Sequence, residues 1–153
     1  AEWFTLRQET NPHFFIPSGV DRLNFHRARG DVTAFVSGSA CDILDPVARQ
    51  LGADQVLATR LVEQDGVYTG DILPPVMIGD GKQAAARQLA LSLEIDLGDC
   101  HAYGDHPSDL PLLEIVGHPA AIGATGELAE IARKRGWPVL PGIGTLDMEG
   151  TAA

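Results

Sequence analysis

Two aspartates with a short spacing are the residues most suggestive of chemistry in this chain. Asp105 and Asp109 lie four positions apart, directly after a short apolar stretch. Mg²⁺ takes carboxylate oxygens in proteins and keeps several waters. Asp105 would bind such an ion, Asp109 would orient Asp105 or a bound water, and His106 would line the same pocket. The alternative is structural, with Asp105 capping the next helix and Asp109 favouring its first turn. The pair alone leaves both interpretations open.

A hydroxyl-rich turn and a lysine could recognise an anion. Ser37, Gly38 and Ser39 follow an apolar stretch, and hydroxyl and backbone N–H groups at such a turn are natural donors to phosphate. Taken alone, however, Ser39 is better explained as a helix N-cap and Ser37 as a loop residue. Lys82 lies near the start of a helix-forming stretch, where its charge opposes the helix dipole unless an anion binds nearby. The alternative is a solvated surface lysine.

Several familiar kinds of site are not indicated by the sequence. "GDGK" lacks the GxxxxGK[ST] spacing of a phosphate-binding P-loop, and the absence of GxGxxG argues against a dinucleotide site. The two cysteines are far apart and the five histidines show no metal-ligand spacing. Neither a disulfide framework nor a zinc site is therefore expected.

Charge and hydropathy restrict the partners and the location. A formal net charge of −10 disfavours nucleic acid and anionic lipid. The two distant cysteines favour a reducing, cytoplasmic location. No apolar run reaches membrane-spanning length and the amino end has no signal-peptide pattern, so we expect no membrane contact. An anionic small substrate would need a cation or local donors to offset the acidic surface.

The elements that must position these residues alternate between strands and helices. The 153 residues, 44% of them hydrophobic, suit one compact domain. The pattern predicts an α/β, Rossmann-like domain with a mostly parallel sheet and helices on both faces. Ligands bind such sheets beyond the carboxyl ends of the strands, where the candidate residues lie. The predicted helices cover 17–30, 39–52, 81–94, 108–116 and 126–136. The predicted strands cover 31–37, a hairpin at 54–73, 100–105, 119–124 and 137–140.

The order of the motifs resembles a known family. The stretches "HRARGDVTAFVSGSACDILDPVARQLG", "GDGK" and "AYGDHPSDLPLLEIVGHPAAIGATGELAEIARKRGWPVL" are similar to the second, third and fourth motifs of the haloacid dehalogenase-like (HAD) hydrolases, in their phosphoserine-phosphatase-like branch. The likeness runs over residues 17–140, which we assign to the core domain. Residues 1–16 are then a remnant of a helical cap, which is largely absent, and residues 141–153 form a carboxyl-terminal tail.

The resemblance implies a Mg²⁺-dependent phosphatase that acts on a small phosphorylated metabolite through an aspartyl-phosphate intermediate. By the same resemblance, Ser37 hydrogen-bonds the phosphoryl group and Lys82 neutralises its developing charge. Asp105 matches the Mg²⁺ ligand, and Asp109 matches the second carboxylate, which supports the metal shell. Phosphoryl transfer depends mostly on positioning and charge stabilisation, which these residue types can supply.

The family's first motif, DxDxT, is missing from its expected place. Residues 1–16 contain no aspartate, so the central strand and its nucleophile have no candidate there. In the tail, Asp147 and Glu149 resemble that motif. If the tail entered the sheet, Asp147 would act as nucleophile and metal ligand, and Glu149 would act as general acid–base. A chance match in an acidic terminal tail is the favoured explanation.

The missing strand leaves several hypotheses open. A parallel sheet without its middle strand exposes edges and apolar surface, so we expect the tail, a second copy or a missing amino-terminal segment to complete the sheet. The alternative function is a catalytically impaired binding or regulatory module. A receiver-like phosphoacceptor domain is less favoured, because the hairpin at 54–73 does not suit it and the expected acidic pair is missing.

Overall fold

The computed structural model describes residues 2–11 and 14–143 of the chain, with side chains from residue 6 onward. The strands are β1 (Ala34–Ala40), β2 (Gln55–Gln64), β3 (Val67–Leu73), β4 (His101–Gly104), β5 (His118–Ile122) and β6 (Val139–Leu140). The helices are α1 (Glu2–Thr10), α2 (Pro17–Arg29), α3 (Cys41–Leu51), α4 (Asp80–Ser92), α5 (Leu110–Leu113) and α6 (Glu127–Arg135), with 3₁₀ turns at Leu97–Asp99 and Pro107–Asp109. Within the described ranges, no helix combines the length and hydropathy that a membrane crossing requires.

The first sheet has the order β1-β2-β3. β1 and β2 are parallel, whereas β2 and β3 form an antiparallel hairpin. The hairpin turns at Asp65 and Gly66, whose φ angles of 52° and 79° lie in the left-handed region that tight hairpin turns require. The predicted hairpin is therefore confirmed, and α3 packs against β1 and β2.

The second sheet has the order β4-β5-β6 and is parallel throughout. On one face, His26 of α2 hydrogen-bonds Tyr103 of β4. On the other face, α5 and α6 supply most of the hydrophobic core. The fully or nearly buried members of that core are Ala102, Leu112, Leu113, Ala121, Leu128 and Ala132. The predicted α/β class, the mostly parallel pairing and the helices on both faces are confirmed.

The strands form two sheets rather than the single predicted sheet. β1 and β4 are each an edge strand, and among the described residues no strand pairs with the outer edge of either. Val36 of β1 nevertheless packs against the core cluster that contains Ala102 of β4. Helix α4 contacts β1, β2 and α5, so it bridges the two sheets. The break therefore falls between β1 and β4, within a continuous packed unit.

Some predicted boundaries differ from those in the structure. The strand predicted at 31–37 runs over Ala34–Ala40, and the short segment after β4 forms a 3₁₀ turn and one turn of α-helix. Ser18 lies at the start of α2 but does not cap it, because its hydroxyl donates a hydrogen bond to the carbonyl of Pro141 at 2.5 Å. The cap position belongs to Ile16, because Pro17 opens the helix with a preset backbone angle.

Candidate active site

Lys82 is buried, so its interpretation as a solvated surface residue is wrong. Its side chain retains 11% of its accessible surface, and Nζ lies 2.5 Å from Oδ1 of Asp109, whose side chain retains 9%. Lys82 is the third residue of α4, and the preceding Gly81 allows the start of this helix to approach the loop before it. A Cβ atom at Gly81 would lie 1.6 Å from the carbonyl oxygen of Val76.

Asp109 organises the turn that follows β4. Its Oδ2 accepts hydrogen bonds from the backbone N–H groups of Asp105 and His106, at 3.1 and 3.2 Å. The His106 ring nitrogen Nδ1 in turn accepts from the N–H of Ser108 at 3.1 Å, which completes a capping box. The structural role predicted for Asp109 is thus confirmed, and it coexists with the Lys82 ion pair.

Gly104 is required by the close approach of Asp109. A Cβ atom at Gly104 would lie 2.6 Å from Cβ of Asp109. Any larger residue would push Asp109 away from Lys82 and from the two backbone N–H groups that donate hydrogen bonds to it. The glycine before the first aspartate therefore has a packing reason in this turn.

Asp105 is the free carboxylate of the site. It is exposed, and its carboxylate has no hydrogen bond or ion pair with the part of the chain that the structure describes. It does not cap the next turn, because His106 occupies that position, so the predicted capping role is wrong. Asp105 is thus available to a ligand at the carboxyl end of β4.

The donor set fits Mg²⁺ only in part. Asp105 offers one free carboxylate, whereas both oxygens of Asp109 already accept hydrogen bonds. Over residues 2–11 and 14–143, no three His, Cys, Asp or Glu side chains group closely enough to hold a metal ion. Mg²⁺ commonly binds through one or two carboxylates together with waters and substrate phosphate, so one free carboxylate is compatible with that mode.

Ser37, Gly38 and Ser39 form a bulge near the end of β1. The ladder with β2 pairs Ser37 with Ala58 and then Ala40 with Thr59, so Gly38 and Ser39 have no partner in β2. The N–H of Ser39 donates to the Ser37 hydroxyl at 3.1 Å. The N-cap of α3 is Ala40, without a side-chain cap, so the capping role predicted for Ser39 is wrong.

Contacts connect the bulge to the lysine helix. A Cβ atom at Gly38 would lie 3.3 Å from both the Met77 carbonyl oxygen and Cγ1 of Ile78, in the loop before α4. From α4, Lys82 reaches Asp109, and the amide of Gln83 donates to the Pro111 carbonyl at 2.8 Å. The structure thus connects the predicted hydroxyl turn, lysine and aspartates, while Asp147 and Glu149 lie outside the described residues.

One buried polar residue beside the bulge was missed. Thr59 keeps 6% of its accessible surface, and its hydroxyl donates to the Gly38 carbonyl at 2.8 Å. In the sequence it is one residue of a β-rich stretch. The glycine between Ser37 and Ser39 was the available signal, because a glycine inside a strand often marks a bulge.

Comparison with known proteins places the chain among phosphatases and their relatives. The model of the haloacid dehalogenase-like hydrolases matches residues 1–114. The chain is 40% identical over 136 residues to a probable phosphatase of Mycobacterium tuberculosis, an overlap of 89% of this chain and 47% of that protein. It is 32% identical over 114 residues to a phosphoserine phosphatase of the same organism, with 74% of this chain and 37% of that protein covered.

A solved structure shares the fold of the chain. A Bordetella pertussis protein of unknown function matches with a TM-score of 0.77 and 32% identity, over 91% of this chain and 66% of that one. The chain spans less than half the length of the two mycobacterial relatives. The family match, by contrast, covers most of this chain. The chain therefore belongs to the haloacid dehalogenase-like hydrolase family, in its phosphoserine-phosphatase-like branch.

Proposed function

We propose that the chain carries the site of a Mg²⁺-dependent phosphomonoester hydrolase that acts on a small phosphorylated metabolite. The observation that carries this proposal is the buried Lys82–Asp109 pair, at 2.5 Å, in which Asp109 also binds the backbone N–H of Asp105, a residue with a free carboxylate. A buried ammonium and an open carboxylate linked through one residue could receive a phosphoryl group and a cation together. Kinship with proteins named as phosphatases supports the same reaction class.

Lys82 and Ser37 would bind the phosphoryl oxygens. An ammonium group has three donors, and Asp109 accepts one of them from Lys82. The Ser37 oxygen already accepts the Ser39 N–H, so its own proton is available to a phosphoryl oxygen. Lys82 would offset the charge that develops during phosphoryl transfer, whereas the neutral Ser37 hydroxyl would bind phosphoryl oxygens that are already charged in the ground state.

Asp105 would hold the metal ion, and Asp109 would keep the turn that presents Asp105. When bound, Mg²⁺ would neutralise charge on the phosphoryl oxygens. Waters and the substrate phosphate would complete the coordination. The positive charge of Lys82 and of the cation explains how a chain with a net charge of −10 could hold an anionic substrate.

The nucleophile is proposed to be an aspartate on a strand between β1 and β4. Both strands have an outer edge that no described strand pairs, and Val36 packs across the break. A carboxylate oxygen of that aspartate would form a bond to phosphorus while the bond from phosphorus to the leaving oxygen breaks and that oxygen takes a proton. Water would then attack phosphorus, release inorganic phosphate and restore the aspartate. The strand would come from a segment preceding residue 1, a second copy or the tail with Asp147.

The test is Mg²⁺-dependent release of phosphate from an aryl phosphate such as p-nitrophenyl phosphate. We expect Lys82→Ala and Asp105→Asn each to lower kcat/KM at least about a hundredfold, because each removes charge stabilisation that acts at the phosphoryl group. Lys134→Ala is the matched control, since Lys134 is exposed on α6. A folded wild-type protein without Mg²⁺-dependent release would contradict a complete hydrolase.

A non-catalytic binding module is the second candidate. It is favoured by the donor set among the described residues, where Asp105 offers a free carboxylate while both oxygens of Asp109 already accept hydrogen bonds. Such a module would bind phosphate in the presence of Mg²⁺, as measured by isothermal titration calorimetry, without turnover. Detection of a covalent phosphoaspartate by mass spectrometry would rule this candidate out.

A further inference from the structure

The bulge in β1 leaves one peptide group to be held by side chains. The ladder register pairs neither Gly38 nor Ser39 with a residue of β2. Backbone polar groups need partners, and those of a bulge must find them outside the ladder. This peptide unit contains the carbonyl of Gly38 and the N–H of Ser39, which point in opposite directions because the unit is planar and trans.

Both ends of this peptide unit are hydrogen-bonded. The Thr59 hydroxyl donates to the Gly38 carbonyl at 2.8 Å, and the Ser39 N–H donates to the Ser37 hydroxyl oxygen at 3.1 Å. The hydrogen bonds therefore run in one direction, from Thr59 through the peptide unit to Ser37. At the end of this chain, the Ser37 O–H remains as the donor. Hydrogen bonds in series polarise one another, which strengthens the last donor.

We infer that Thr59 is a positioning residue that holds the Gly38–Ser39 peptide unit so that the Ser37 hydroxyl donates to the bound phosphoryl group. This inference rests on the proposed function, because it names how a residue of that site is oriented. Thr59 is buried, and its hydroxyl would act on a bound phosphoryl group only through the peptide unit and Ser37. Without the Thr59 hydroxyl, the Gly38 carbonyl would lose this hydrogen-bond donor, and the peptide unit would be free to rotate.

Valine and serine substitutions separate the hydroxyl from the shape of the side chain. Thr59→Val keeps the branched shape and removes the donor, whereas Thr59→Ser keeps the donor and removes a methyl group. The matched control is Thr33→Val. Thr33 is also buried, keeps 7% of its accessible surface and bonds Asp54 at 2.9 Å, close to the first β1–β2 pair and away from the bulge.

The experiment measures the Kd for inorganic phosphate with Mg²⁺ by calorimetry, together with KM and kcat for an aryl phosphate if turnover is present. We expect Thr59→Val to raise the phosphate Kd and KM roughly tenfold, with kcat changed less than about threefold, because the lost contact is made to charge already present in the ground state. Thr59→Ser should stay within about twofold of wild type. Thr33→Val should lower the unfolding midpoint and leave the phosphate Kd within about twofold.

The outcomes separate this inference from the proposed function. A folded wild-type protein that binds no phosphate in the presence of Mg²⁺ would overturn the proposed function and, with it, the role of Thr59. Wild-type binding with an equal Kd for Thr59→Val would overturn the positioning role alone. Equal weakening by Thr59→Ser, or by Thr33→Val, would also overturn it, because the effect would then not depend on the donor at this position.

Discussion

At the scale of single residues, Asp109 combines backbone hydrogen bonds with a buried ion pair. It accepts two backbone N–H groups after β4 and the ammonium of Lys82. Burial of both partners makes the pair costly to break on one side, since the remaining charge loses its compensation. Asp109 therefore links the stability of the turn to the orientation of the lysine.

Asp109→Asn is expected to destabilise the protein by about 3 kcal/mol, because it leaves the Lys82 charge buried without a counter-charge. The free energy of unfolding is measured by urea denaturation. Lys82→Met combined with Asp109→Asn should recover part of that loss, since no buried charge remains.

Lys134→Met provides the control for this stability prediction. Lys134 is exposed, so its substitution should change the free energy of unfolding by less than about 0.5 kcal/mol. A loss below about 1 kcal/mol for Asp109→Asn would show that the ion pair is not the main support of this turn.

At the scale of elements, α2 is joined to the second sheet by a row of aromatic side chains. His26 hydrogen-bonds Asp31 at 2.8 Å and the Tyr103 hydroxyl at 2.9 Å. The His101 ring lies 4.6 Å from that of His26 and 4.4 Å from that of His118, between ring centroids. Because α2 leads into β1, this row connects the two sheets at the amino-terminal end of β4.

Protonation should weaken this joint. Burial, then the charges of His26, His118 and Arg29, lower the pKa of His101 below 6.5, and Asp31 opposes the shift. The unfolded chain therefore takes up a proton more readily than the folded protein. The stability contributed by the neutral ring is complete above about pH 6.5 and is lost as pH falls below it.

We expect the urea midpoint to be lower at about pH 5.5 than at about pH 7, and His101→Gln to reduce this difference. The measurement is a pair of denaturation curves for each protein. Hydrogen bonds, chiefly from His26 to Asp31 and from Thr33 to Asp54, lower the pKa values of these two carboxyl groups from 3.8. The stability that the ionised carboxylates contribute to the folded protein is therefore lost only in more acidic solution. An unchanged pH dependence in the variant would contradict the assignment to His101.

At the scale of the whole molecule, the break between the two sheets determines where a further strand could join the fold. β2 and β5 have a strand on each side, whereas β1 and β4 each have a free outer edge among the described residues. Unpaired edges invite another strand. The site residues lie on both sides of this break, with Ser37 on β1 and Asp105 just after β4.

Hydrogen exchange should report on this break. We expect the amides of β1 and β4 to exchange faster than those of β2 and β5, because open edges are less protected. Mass spectrometry of exchanged peptides gives the comparison. Slower exchange of β1 and β4 at higher protein concentration would identify a second copy as the added strand. If β1 and β4 were protected as well as β2 and β5 at low protein concentration, and deletion of residues 144–153 removed that protection, the tail would be identified as the added strand.

The sequence alone predicted the class of the fold and indicated which groups could carry the proposed chemistry. Alternating apolar and turn residues indicated the strand and helix order, since these patterns are local. Ser37, Lys82 and Asp105 were identified because they follow strands or open helices, where parallel sheets bind ligands. The glycine-ended helices were predicted as well, and Gly30 and Gly52 adopt φ angles of 81° and 70°.

Only the tertiary structure decided how those groups are held. Thr59 and Gly38 are 21 positions apart, and Lys82 and Asp109 are 27 apart, so no local pattern predicts either hydrogen bond. The bulge in β1 and the division into two sheets depend on which strands pair. Residue type and spacing determine what a segment can form and donate, whereas burial and pairing between distant segments determine which donors are already satisfied and which face a ligand.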